Sequence, residues 1–168
     1  SLERLPDALI ERERLTVQLP EHLLPGLLRE DFAALRKLRD DDASGVLKEF
    51  FGDSEDPREW KSGEWGKAVT VTDGRVTKLS LYKCSSLAAL PAAIGELKAL
   101  AMLDLEKCSS LVMLPAAIGG LQALTRVDLS STRIAELPAA IGALGALKEL
   151  RMVGCESLAA LPDAIGKL

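Results

Sequence analysis

The sequence predicts an α/β solenoid, with a short parallel sheet on the concave side of a stack of coils, preceded by a mainly helical N-terminal cap. Three observations predict it. One pattern is written four times over residues 76–168, with starts at Leu79, Leu103, Val127 and Leu150 that lie 24, 24 and 23 residues apart. A fixed period of that length marks a stacked repeat architecture. Each unit divides into a half of period two and a half whose apolar residues lie three or four apart, which predicts a strand and a helical return. Residues 1–75 stand outside the repeats, and most of their apolar residues follow helical spacing.

Residues 1–75 form the capping region. Leu2, Leu5, Leu9 and Ile10 make a short helical stripe, and Pro6 fits a first turn, where its missing N–H does no harm. The alternation over residues 15–19 fits a short strand ended by Pro20. Leu24, Leu27, Leu28, Phe32, Leu35 and Leu38 predict an amphipathic helix over residues 25–39. Asp40, Asp41 and Asp42 end it and supply a cap for a second helix, marked by Val46, Leu47, Phe50 and Phe51 and closed by Gly52. Residues 53–66 are polar and turn-rich, with Trp60 and Trp65 among them. Residues 68–72, Asp73-Gly74 and residues 75–79 then read as strand, tight turn and strand. The first coil of a stack has an apolar side with no neighbour, so an atypical segment must cover it. Phe50, Phe51, Trp60 and Trp65 are large enough, each burying on the order of 150–250 Å².

Residues 76–168 hold about four coils, the last incomplete. In each, Leu-x-Leu gives the strand and Leu-Pro-x-x-Ile-Gly-x-Leu-x-x-Leu gives the return. Pro91, Pro115, Pro138 and Pro162 start the return, and Gly95, Gly119, Gly142 and Gly166 sit where it tightens. Returns wider than strands curve the stack, with the strands inside. The predicted inward ladders are Leu79, Leu103, Val127 and Leu150; Leu81, Leu105, Leu129 and Met152; Leu87, Leu111, Ile134 and Leu158; and Ile94, Ile118, Ile141 and Ile165.

The frame Leu-x-x-Leu-x-Leu-x-x-Cys-x-x-Leu-x-x-Leu-Pro-x-x-Ile-Gly-x-Leu-x-x-Leu resembles the leucine-rich-repeat family, and within it the plant-type and intracellular repeats carrying Leu-Pro-x-x-Ile-Gly. Residues 65–81 also resemble the N-terminal cap of plant and algal members, where a Trp precedes a strand and Arg-Val leads into the first repeat. Secreted versions of that cap carry cysteines, and this chain has none before Cys84, so the resemblance implies a cytoplasmic protein. It further implies a non-enzymatic module that binds a protein partner. In the family the position of Cys84, Cys108, Thr132 and Cys155 holds Asn, Cys or Thr, whose side chain hydrogen-bonds loop backbone inside the coil.

Composition narrows the function classes. The net charge is −4, without the basic stripe of a nucleic-acid binder. Residues 1–74 carry 11 Lys/Arg and 17 Asp/Glu, a net of about −6, and residues 75–168 carry 10 and 8, about +2. No stretch approaches the roughly 18–20 apolar residues of a membrane span. The N-terminus lacks the apolar run of a signal peptide, although a chain starting at Ser1 leaves a removed signal open. There is no asparagine, which excludes N-glycosylation.

Catalytic and metal chemistry find little support. Cys84, Cys108 and Cys155 share one point of the repeat, but Thr132 breaks the set, so they read as reduced structural thiols. Adjacent-coil spacing of about 5 Å does not forbid a Cys84–Cys108 disulfide; inward direction and compartment argue against it. Residues 62–68 echo a phosphate-binding loop, with glycines too close and Ala68 where Ser or Thr should hold magnesium. Asp53, Glu55 and Asp56 lack the calcium-loop pattern, and His22 is the only histidine. Nothing assembles a nucleophile, a base and an oxyanion site. The expectation is no enzyme, no cofactor and no metal.

The non-repetitive surface is the strand face. Its outward positions are Lys78, Ser80 and Tyr82; Met102, Asp104 and Glu106; Arg126, Asp128 and Ser130; and Glu149, Arg151 and Val153. Variation there, against invariance elsewhere in the same coils, predicts a partner-binding face, with Tyr82, Met102 and Arg126 as anchors. The alternative is a set of solvated strand residues with cross-strand pairs such as Asp128 with Arg151. Asp104 beside Asp128 predicts a basic group on the partner. Leu150, Met152, Leu158, Leu161 and Ile165 would line an apolar end face, so that either residues follow or a partner or second copy covers it, as a homodimer or a larger assembly. Residues 1–9 echo residues 157–165 and read equally as a decayed half-repeat or as a coincidence of composition.

Overall fold

The computed structural model describes residues 26–62 and 66–168. The stripe at residues 2–10, the strand at residues 15–19, His22 and Trp65 lie outside the described residues.

Helix α1 (Gly26–Asp40) turns Leu28, Phe32, Leu35 and Leu38 into the core, as the spacing requires. Helix α2 (Val46–Phe51) follows, with Leu47 and Phe51 buried. Gly45 is its N-cap, and the third aspartate of the run reaches the first turn from three residues further back. Asp42 accepts the Leu47 N–H at 2.8 Å and the Ser44 N–H and O–H at 3.1 and 2.6 Å. Gly52 closes the helix at φ 84, the left-handed region that favours glycine. Trp60 is wholly buried and stacks on Phe51, ring centroids 4.4 Å apart. Its indole N–H donates to the Ser54 carbonyl at 2.9 Å, and the buried Arg39 guanidinium lies 5.4 Å from the ring. Arg39 in turn donates to Ser54, Asp40 and Glu55, so the cation is not left unpaired in the cap.

Among the described residues five strands form one sheet in sequence order: β1 (Val69–Thr72), β2 (Arg75–Ser80), β3 (Met102–Asp104), β4 (Arg126–Asp128) and β5 (Glu149–Arg151). β1 and β2 are an antiparallel hairpin, and every later pairing is parallel. Asp73 and Gly74 both take positive φ, 51 and 68, which the twist of a two-residue hairpin turn demands. The register aligns Leu79, Leu103, Val127 and Leu150 in one row. Cap and coils share one continuous core, and β2 begins at Arg75, the last residue assigned to the cap. A clamp of three hydrogen bonds fixes that junction. Asp31 on α1 accepts both Arg75 Nε and Nη2 at 2.9 Å and the Val76 N–H at 2.8 Å.

The returns are 3-10 helices of five residues each: Ala92–Glu96, Ala116–Gly120, Ala139–Ala143 and Asp163–Lys167. Each follows its proline, whose carbonyl accepts the N–H three residues on, as in Ile94 to Pro91. The glycine has a packing reason. A Cβ on Gly95 would stand 2.6 Å from the Ala117 carbonyl oxygen, and one on Gly142 would stand 2.5 Å from that of Ala164. Helix α1 packs on the first return, tied by Lys37 to Glu96 at 2.5 Å, and so occupies the place of a preceding coil. The predicted ladders are fully buried in the first three coils, while Leu150, Met152, Leu158 and Ile165 of the fourth are partly buried.

The 23-residue spacing also has a structural site. Leu87, Leu111 and Leu158 each donate their N–H to the carbonyl of the cysteine three residues back. The third coil has one residue fewer there, between Thr132 and Ile134, and Arg133 donates instead to Leu111 of the preceding coil. The coil that lacks the turn is the coil that lacks the cysteine.

Candidate functional site

The parallel register sets the strand face in rows. Lys78, Met102, Arg126 and Glu149 share the first row, and Ser80, Asp104, Asp128 and Arg151 the second. Tyr82, Glu106, Ser130 and Val153 follow beyond the strand ends. There the ladder continues through the Lys83 N–H to Glu106, the Lys107 N–H to Ser130 and the Ser131 N–H to Val153, at 3.0, 2.9 and 2.8 Å.

The second row is largely committed to the backbone. Ser80 is 6 % exposed and Asp128 8 %. Ser80 Oγ accepts the Tyr82 N–H at 3.4 Å, Asp104 accepts the Glu106 N–H at 3.1 Å, and Asp128 accepts the Ser130 N–H at 3.0 Å. In each of the first three coils one side-chain oxygen thus receives the N–H two residues on and turns the chain out of the strand, the local bond that favours Ser and Asp in turns. Ser80 also donates to Asp104 at 2.9 Å and bonds Ser62 of the cap at 3.0 Å. Arg151 lies 4.0 Å from Asp128 and donates to Glu149, which also lies 3.3 Å from Arg126. The cross-strand pair of Asp128 with Arg151 is therefore present, at the long end of ion-pair distance.

The other positions present more surface. Val153 is 76 % exposed, Arg151 is exposed, and Lys78, Tyr82, Met102, Asp104, Glu106, Arg126, Ser130 and Glu149 are half-buried. Two lysines that outward strand alternation does not select gather at Tyr82. Lys83 Nζ lies 5.4 Å and Lys107 Nζ 5.1 Å from its ring centroid. Lys107 also donates to the Tyr82 hydroxyl at 3.0 Å and lies 3.3 Å from Glu106. These bonds, first to Tyr82 and then to Glu106, hold its ammonium above the usual lysine range. Lys83, Lys107, Ser131 and Gly154 are the matching residues of the four coils, all with φ between 58 and 74. The sequence signal for the lysines was the recurring Lys-Cys step, at residues 83–84 and 107–108.

The repeat-position thiols are free and interior. Cys108 Sγ donates to the Leu81 carbonyl at 3.2 Å, Cys155 Sγ to Leu129 at 3.0 Å, and Thr132 Oγ1 to the same Leu129 oxygen at 2.7 Å. Burial pushes the Cys84 and Cys108 thiols up to about 12. Among the described residues no group of His, Cys, Asp or Glu has the arrangement of a metal site, and no helix is long and apolar enough to cross a membrane.

A stack of short coils, each one strand plus one 3-10 return around a leucine-rich interior, defines a class of solenoid. No protein-family profile and no curated protein matches the chain. Solved structures do. A leucine-rich-repeat protein of Leptospira interrogans is 36% identical over 55% of this chain, with a TM-score of 0.52. A plant ice-binding protein matches 73% of the chain at 24% identity and TM-score 0.56, and the PEPR1–AtPEP1 complex 82% at 20% and 0.54; these two speak for the fold alone. The chain spans 23%, 39% and 19% of the lengths of these three. The repeat frame, the coil geometry and the Leptospira likeness together give this chain the leucine-rich-repeat fold.

Proposed function

We propose that the chain is a non-enzymatic interaction module that binds another protein on its strand face. One observation carries the reading. The same coil is built repeatedly from Leu, Ile, Pro, Gly and Ala, yet Lys78, Met102, Arg126 and Glu149 occupy one row with four different side chains. The scaffold does not require these identities, because the side chains stand outside the core. The parallel ladder fixes the backbone beneath them, so little conformational freedom remains to be lost on binding. Met102 and Arg126 are the central anchors, and Tyr82 the anchor at the strand ends. Asp104 keeps lone pairs for a basic group on the partner, since only one hydrogen bond reaches each of its oxygens. The acidic net charge favours a protein over a nucleic acid, and free thiols at the repeat position favour a cytoplasmic setting.

The test compares proteins captured by the unaltered chain with those captured by a Met102→Arg, Arg126→Glu variant and by an Ala116→Arg variant on the return side. The expected result is loss of specific partners from the first variant only. Retention of every partner by the strand-face variant sinks the reading.

A further inference from the structure

The rim beyond the strands carries a charge pattern of its own. We propose that Tyr82, Lys83 and Lys107 form the seat for an acidic segment of the partner protein, whose carboxylates lie between the two ammonium groups beside the tyrosine ring. This deepens the strand-face reading and rests on it. Two cations converge on one aromatic ring, at 5.4 and 5.1 Å from its centroid. Only one of them is neutralised. Lys107 stands 3.3 Å from Glu106, whereas among the described residues Lys83 Nζ meets the ring and no carboxylate. The cluster therefore keeps an excess of one positive charge on an exposed edge. Elsewhere on the face, Arg126 and Arg151 are met by Glu149 and Asp128. Among the described residues Lys78 also meets no carboxylate, but it sits beside Met102 with no second cation.

The backbone sets the two lysines rigidly. Each has φ 63, and each N–H bonds the next coil. The fourth coil fills the same place with Gly154 at φ 74, the residue that a left-handed backbone favours. Lysine thus stands there against the preference of the backbone, on two adjacent coils about 4.8 Å apart. The Tyr82 hydroxyl already holds Lys107 at 3.0 Å, which orients one ammonium before any partner arrives. Opposite charge brought to a preset pair of cations is the arrangement that speeds encounter and fixes register.

The experiment follows amide shifts of the isotope-labelled full chain on titration with a hexaglutamate peptide, and with hexalysine as the control. Hexaglutamate shifts should centre on Tyr82, Lys83 and Lys107, and weaken on going from about 50 to about 300 mM salt. A Lys83→Glu, Lys107→Glu variant should bind it about tenfold more weakly, while Lys148→Glu, at an exposed lysine away from the rim, stays within about twofold. Both lysines are exposed, so the variants keep the fold, which a thermal melt checks. Shifts of equal size at Lys98, Lys148 and Lys167, equal binding of hexalysine at the rim, or unchanged affinity in the double variant would overturn the assignment. Failure of the strand-face reading is read separately, from the Met102→Arg, Arg126→Glu captures, which do not touch the rim.

Discussion

Each coil shows two faces, and they are made differently. On the return side Ala-Ala-Ile-Gly is repeated almost unchanged, and glycine lets the next coil's carbonyl approach where a Cβ would collide. On the strand side the backbone is just as regular, but the side chains are unlike from coil to coil. The difference shows that regular backbone does not need regular side chains. It needs them only where one coil touches the next. The strand face is free to vary because its neighbours are held together by main-chain bonds.

That contrast can be broken or sharpened in order of effect. Ile118→Asp places an unpaired charge in the ladder between return and strands, where Ile118 is wholly buried. A loss on the order of 3–5 kcal/mol in urea denaturation is expected. Gly95→Ala should cost about 1–3 kcal/mol in the same assay, through the 2.6 Å clash with Ala117. Gly145→Ala, with open space around it, should stay within about 0.5 kcal/mol. Equal losses at the two glycines would mean that return packing is not what demands glycine.

The thiols between the two faces give a smaller effect with a definite sign. Burial raises Cys84 and Cys108 to about 12 in the folded chain, above the ordinary thiol value of about 8.5. A raised folded value means that their contribution is whole below pH ~8.5 and is lost as pH climbs toward 12. The denaturation midpoint should therefore fall over that window, and fall less in a Cys84→Ala variant. At pH 8 a thiol reagent should label Cys155, which is half-buried, before the other two. Last, Met102→Ala and Arg126→Ala should change stability by no more than about 0.5 kcal/mol while lowering partner capture.

The coils were legible in the sequence because every core position recurs at a fixed offset, and the structure returns the same ladders. The hairpin was legible from Asp73-Gly74 between the strand patterns of residues 68–72 and 75–79. What escaped is long-range or local in a way that periodicity does not register. The Asp31–Arg75 clamp joins residues 44 apart, with no repeat to announce it. Asp104 and Asp128 read from the sequence as an acidic spot, and spacing does not show that each also accepts an N–H two residues on. Lys83 and Lys107 fall outside the strand alternation because their left-handed backbone interrupts it. The site is therefore legible as a face, and its chemistry depends on turns that alternation does not describe.

The short third coil bears on how such a chain tolerates insertions and deletions. Losing a residue within a strand would flip its side chains between core and solvent. Here the loss falls between Thr132 and Ile134, after the strand and before the return, and both Val127 and Ile134 stay buried. The hydroxyl of Thr132 still reaches Leu129 across the tightened loop. This segment is the slack in each coil: length variation can accumulate there while the strand register, and with it the order of side chains on the face, is left intact.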